Sequence, residues 1–219
     1  NWQIFNAYGD QAEVERQHTI GDLPGKVSVL AYRNRMMMAT YADATNYVIQ
    51  NNAQGTQALF NVRNNFQYKT GIGINGEQAL TKDLGIYGRA FTSDGHTETM
   101  SFTEADNSIS VGMGMNGTRW SRPSDSIGVS VMQNGLSSFR RAYLQAGGIS
   151  YFIGDTPSPY AGPGQTINYR PERIGEIYYN ALLVKNVLLG VNFQHINNPA
   201  YNAARGPVNI ASFRIHAEF

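Results

Sequence analysis

Three kinds of residue in this chain could carry chemistry, and spacing separates them. Gly71-Ile72-Gly73-Ile74-Asn75-Gly76 has the G-x-G-x-x-G spacing of a dinucleotide cradle. That use needs a helix directly after the glycines and an acidic residue about 20 positions on. Here Glu77-Gln78-Ala79-Leu80 runs at once into a turn and another strand pattern, so the glycines thin or bend a strand wall. The four histidines (His18, His96, His195, His216) are far apart in sequence and form no paired metal-ligand motif. The count of cysteines is 0, which excludes thiolate catalysis, iron–sulfur ligation, cysteine-based zinc sites and disulfides. No serine sits in a nucleophile elbow. We therefore expect no catalytic residue, no metal and no cofactor.

The third kind is a scatter of Arg, Glu, Tyr, Asn and Gln at every second position of otherwise apolar or glycine-rich segments. It includes Glu13, Glu15, Asn75, Glu77, Tyr87, Arg89, Glu176, Tyr178, Asn180, Asn192, Gln194, Arg214 and Glu218. Carboxylates and guanidinium groups offer planar, paired hydrogen bonds to polyhydroxyl ligands, and tyrosine rings stack on apolar C–H faces. Such groups do this work only if one element holds them on a single surface.

That element is the β-strand. In Val208–Phe219, Ala211, Phe213, Ile215 and Ala217 alternate with Ser212, Arg214, His216 and Glu218. Ile109, Val111, Met113 and Met115 alternate with Ser108, Ser110, Gly112, Gly114 and Asn116, and Val187, Leu189, Val191 and Phe193 with Gly190, Asn192 and Gln194. Nine segments read as strands: 11–20, 26–35, 67–80, 84–92, 107–117, 125–134, 173–184, 187–196 and 208–219. Each is close to the ten residues that a tilted strand needs to cross a bilayer. Their connections alternate short and long. The short ones carry turn residues (Gly21-Asp22-Leu23-Pro24-Gly25, Thr81-Lys82-Asp83, Ser121-Arg122-Pro123-Ser124, Lys185-Asn186), and the long ones are 36–66, 93–106, 135–172 and 197–207. Outer-membrane barrels sort their loops in this way, whereas a sandwich has no reason to. Within the long loops, Met37–Ala44 and Ser138–Ala146 are predicted helices, and Gly148–Ile153 is kept in its loop because a further strand would break the alternation.

Composition agrees with this reading. Lys+Arg 17 against Asp+Glu 16 leaves a net charge of +1, so no strong field points to nucleic acid. Mean hydropathy is −0.36, which suits a wall whose lipid-facing and water-facing residues cancel. The expected fold class is all-β: a transmembrane antiparallel β-barrel, with residues 1–219 as one domain. Nine is an odd strand count. Either Asn1–Tyr8 holds part of a tenth strand or the barrel is larger than the chain. Alternatives are a barrel hydrolase acting on lipid or surface polymer, a non-conducting structural barrel, and a soluble sandwich.

Several short segments, in order, resemble one family. They are Tyr8–Glu15, Leu23-Pro24-Gly25-Lys26, Asn34-Arg35, Phe102–Asp106, Arg119–Asp125, Asn134–Ser137, Asn198–Asn202 with Arg205–Val208, and His216–Phe219. Together they are similar to the carbohydrate-selective (OprB-type) porins of Gram-negative outer membranes. The resemblance implies a sixteen-stranded barrel of about twice this length, of which the chain would be the C-terminal half. It implies sugars, monosaccharides such as glucose, as permeants moving by passive diffusion. It also implies outer-membrane lipid and lipopolysaccharide as surroundings, a monomer or homotrimer, and recognition of Phe219 by the barrel-assembly machinery. The expected pore-lining residues are Glu77, Tyr87, Arg89, Glu176, Tyr178 and Arg214. Arg33 and Arg35 join them, with Arg63 and Tyr41, as a constriction if loop 36–66 folds inward. Trp120 is expected in an interfacial girdle.

Overall fold

The computed structural model describes residues 5–99, 104–150, 153 and 167–218. Phe219, and with it the expected assembly signal, lies outside the described residues, as do Asn1–Ile4. The described residues form one antiparallel sheet of nine strands in sequence order. These are β1 (Tyr8–Ile20), β2 (Leu23–Met37), β3 (Phe66–Ala79), β4 (Leu84–Ser93), β5 (Asn107–Gly117), β6 (Arg122–Gly135), β7 (Glu172–Val184), β8 (Val187–Asn197) and β9 (Val208–Ala217). Each strand pairs only with its neighbours in sequence, so every connection is a hairpin. Strands of 10 to 15 residues rising about 3.3 Å per residue span about 23–35 Å when tilted near 45°.

Turn chemistry closes one end. Gly21 and Asp22 both take positive φ (56° and 66°), the two-residue turn whose twist matches its flanking strands. At the β5–β6 turn the register shifts after Asn116, and the Asn116 side-chain Oδ1 accepts from the Thr118 amide (3.1 Å) and hydroxyl (2.6 Å). Beside it, Trp120 Nε1 donates to the Tyr179 hydroxyl (3.0 Å), which donates to Asp125 (2.6 Å). This ties an amphipathic ring pair to the turn end of the wall.

Burial is inverted relative to a water-soluble sheet. Aliphatic side chains in the middle of the sheet, far from either edge, stay open: Ile109 is 55% exposed, Val111 52% and Val131 58%. Register puts Val29, Ile74, Ile109, Val111, Val129, Ile177, Val191 and Phe213 on this same face. Leaving each such side chain in water forfeits about 1.5–3 kcal/mol. A sheet with this face solvated would lose tens of kcal/mol, whereas hydrocarbon removes the loss.

The buried core lies instead in the long connections at the other end. Helix α1 (Tyr41–Asn51) starts at Thr40, whose side chain accepts from the Asp43 amide, and helix α2 (Ser138–Gln145) starts at Ser137, which accepts from the Arg140 amide. Tyr41, Ala44 and Val48 of α1 pack with Leu59, Leu136, Tyr143, Leu144 and Tyr201. The predicted helix at Met37–Ala44 is displaced because Met36 and Met37 extend β2 against Gln67 and Phe66. Four loops are thus knitted into one cap. Tyr41 N–H donates to His96 O (2.8 Å), Gly55 N–H to Gly147 O (2.6 Å) and Tyr201 Oη to Glu104 O (2.8 Å). At its centre Arg140, 1% exposed, pairs with Glu104 and lies 3.6 Å from Asp106 and 5.6 Å from the Tyr41 ring. Burial pushes the Asp106 carboxyl up and holds the Arg140 guanidinium below its ordinary value. Burial likewise raises the Tyr143 hydroxyl to about 12, and it raises Tyr41 and Tyr201 as well.

Candidate pore-lining surface

The face opposite the exposed aliphatics gathers most of the sequence-predicted polar residues. Following register across the wall, Glu15, Lys26 and Glu77 do not share one row, yet Lys26 Nζ reaches Glu15 (3.3 Å) and Glu77 (3.4 Å) and so links β1, β2 and β3. Asn75 faces Arg89 across β3 and β4, and Arg89 Nε donates to Asn75 Oδ1 (3.0 Å). The same guanidinium carbon lies 5.3 Å from the ring centre of Tyr87, two residues along on that face. On β7, Glu176 accepts from its row partner's neighbour Asn192 and, at 3.0 Å, from Gln194 on β8. Arg214 pairs in register with Gly190 and is exposed on this face. The row Tyr87–Gly112–Ser130–Glu176 places Tyr87 and Glu176 three strand spacings apart, about 14 Å along the wall.

Glycine shapes this surface by giving room to rings. Tyr32 faces Gly71, Tyr87 faces Gly112 and Tyr178 faces Gly128, each a direct cross-strand pair. In all three the tyrosine ring occupies the space that a Cβ on the glycine would take; at Gly112 a Cβ would fall 2.7 Å from the Tyr87 ring. The rings therefore lie along the wall. The Tyr178 hydroxyl extends to Gly114 and the Tyr87 hydroxyl to Gly112, neighbouring positions on one face of β5. Two phenols approach one strip of bare backbone from opposite sides, with Arg89 above one and Glu176 beside the other.

Residues 5–219 match the carbohydrate-selective porin, OprB family. The chain belongs to that family. OprB porins are outer-membrane β-barrels and are not enzymes. Among solved structures, that of Pseudomonas putida OprB at high pH is similar, with a TM-score of 0.73 and 19% identity over 98% of this chain. The match covers 49% of that structure, so the chain spans about half its length, and the nine strands correspond to part of the OprB barrel. No curated protein matches the chain.

Within this OprB-family sheet, six of the eight named residues (Glu77, Tyr87, Arg89, Glu176, Tyr178, Arg214) share the polar face by register. Arg33 and Arg35 are a correction: they stand on the opposite face, in line with Val29 and Ala31. There Arg33 pairs with Asp10 between the rings of Tyr8 (5.7 Å) and Tyr68 (5.6 Å), and Arg35 lies 4.8 Å from Phe66. Above the hydrocarbon the outer face also turns polar and aromatic, so polarity alone does not tell the two sides apart. Tyr41, 2% exposed, is a core residue of the cap, and Arg63 is bound to Glu98 through Nε (2.6 Å) and Nη2 (2.5 Å). The constriction is therefore not formed by this set. The cap instead leans on the inner wall: Lys69, on the polar face of β3, donates to Thr97 O (3.1 Å), and Tyr201 of the cap borders a recess with Phe91 and Met132. Sequence reasoning missed Lys69, Asn34 and the apolar group Leu30, Tyr32 and Phe91 on this face. Counting positions from Asn75 and Arg89 would have found them.

Proposed function

We propose that the complete protein is a passive diffusion channel for monosaccharides such as glucose, and that Glu77, Tyr87, Arg89, Glu176, Tyr178 and Arg214 line its path. Membership of the carbohydrate-selective porin family supports the class of permeant. The observation that carries the role of these residues is the pair of tyrosine rings laid flat over Gly112 and Gly128, beside Arg89 and Glu176. A sugar presents an apolar ring face and a rim of hydroxyls. A wall with flat aromatic surface and fixed donors and acceptors meets both, without a closed pocket. Many shallow contacts suit transport, because a permeant must leave as readily as it enters. Arg89 is already steadied by Asn75 and the Tyr87 ring, so its planar fork can meet a hydroxyl pair with little loss of side-chain freedom.

The test is current through the full-length protein in planar bilayers. Stepwise conductance with glucose-dependent block is expected, and Arg89→Gln or Arg214→Gln should change the block or the ion selectivity. A protein that gives no conductance steps would overturn the reading, and currents unchanged in both variants would remove these residues from the path.

A further inference from the structure

Most of the inner face is polar or glycine, yet its cap-side third carries a group of large apolar side chains. Leu30, Tyr32 and Met36 of β2 and Phe91 of β4 all hold the inner-face register. They border a recess of about 560 Å³ between the wall and the cap, completed by Met38 and by Lys69. None of the four wall residues belongs to the cap's buried core, and each is only partly buried. Hydrocarbon does not reach this face. Among the described residues, these side chains are thus apolar surface set beside a water-filled path and only partly covered by protein.

We infer that this recess binds the aromatic portion of an entering permeant, so that the channel prefers aryl glycosides to the bare sugar. The volume lies within the range of about 300–1,000 Å³ in which apolar sites for small molecules fall. Tyr32 and Phe91 offer ring faces or edges, and Met36 is a thioether of the adaptable kind that fits flat aromatic groups. Polar groups for the sugar end stand at the margin. The Lys69 ammonium is anchored by the Thr97 carbonyl (3.1 Å), and Asn34, its direct partner across β2 and β3, lies exposed beside it. The Tyr32 ring lies along the wall in the space that Gly71 leaves open. The recess sits at the long-loop end, so a glycoside entering from there would meet it before the Tyr87–Tyr178 surface.

This inference rests on the transport reading, and the experiment separates the two. Half-blocking concentrations of glucose and of phenyl glucoside are measured on the full-length protein in planar bilayers. Phenyl glucoside is expected to block at about tenfold lower concentration, the effect of burying part of one ring. Phe91→Ser and, separately, Leu30→Ser should each cut that advantage to about twofold while leaving block by glucose unchanged; an unaltered open-channel conductance reports an intact barrel in each. Equal block by the two compounds in the native protein, or an advantage that survives in both variants, would overturn the inference and leave the transport reading standing. Absence of block by either sugar would overturn both.

Discussion

Tyr178 lies over Gly128, its direct partner across β6 and β7, so closely that the ring fills the place of a glycine side chain. The contact is made by the far end of the tyrosine, which can swing, and not by backbone. Gly128→Ala should therefore leave the barrel folded and push the Tyr178 ring off the wall into the path. Single-channel conductance is expected to fall and sugar block to change, with thermal stability shifted by no more than about 1 kcal/mol. Unchanged conductance would mean that the ring does not border the path.

Lys26 stands between Glu15 and Glu77 on the inner face, all three partly exposed. Exposed ion pairs contribute about 1 kcal/mol or less, so Lys26→Gln should cost little stability. It removes the one cation between two carboxylates, and the reversal potential in a salt gradient should move toward greater cation selectivity. A shift toward anions would contradict the placement of this trio.

Arg140 is the charged centre of the cap, buried against Glu104 and Asp106. Arg140→Met leaves carboxylates in a dry site without their partner, a change that typically costs about 3–5 kcal/mol. The loss should be local. Limited proteolysis is expected to open the loops around α1 and α2 while the strands stay protected. Loops as resistant as the native ones would show that the cap does not depend on this pair.

The cap should also respond to alkali. Burial raises Tyr143 from its ordinary value near 10 to about 12, and it raises Tyr41 and Tyr201 too. For an acid whose value is raised by folding, the stabilisation is whole below pH 10 and is lost as pH climbs through about 12. Protease sensitivity of the loops should therefore rise across that window, in step with tyrosinate absorbance. Loops that open well below pH 10 would contradict it.

Much of the wall was legible in the sequence because a strand repeats every two residues. Val111 beside Gly112, and Val191 beside Asn192, declare their faces without help from distant residues, and the turns at Gly21-Asp22 and Lys185-Asn186 declare the short-loop end. Arg33 and Arg35 were not legible from polarity. Val29, Leu30 and Ala31 form an apolar run in which one member faces inward, so the alternation that would have sided the arginines is blurred. Helix α1 was misplaced by a few residues, although Thr40 and Asp43 supply a start signal that local propensity at Met37-Met38 obscured. The cap itself was beyond reach. Arg140 meets Glu104 and Tyr41 through contacts between loops, and no spacing along the chain reports those.

The most direct test is of the two faces themselves. The chain has 0 cysteines, so single substitutions read cleanly. Val191→Cys and Asn192→Cys, neighbours on β8, are placed one at a time in the full-length protein, in a lipid bilayer. A charged, water-soluble thiol reagent should label the cysteine at 192 and not that at 191. A nitroxide label at 191, in turn, should be accessible to a lipid-dissolved relaxation agent. Water-phase labelling of 191 with protection of 192 would contradict the account at its root.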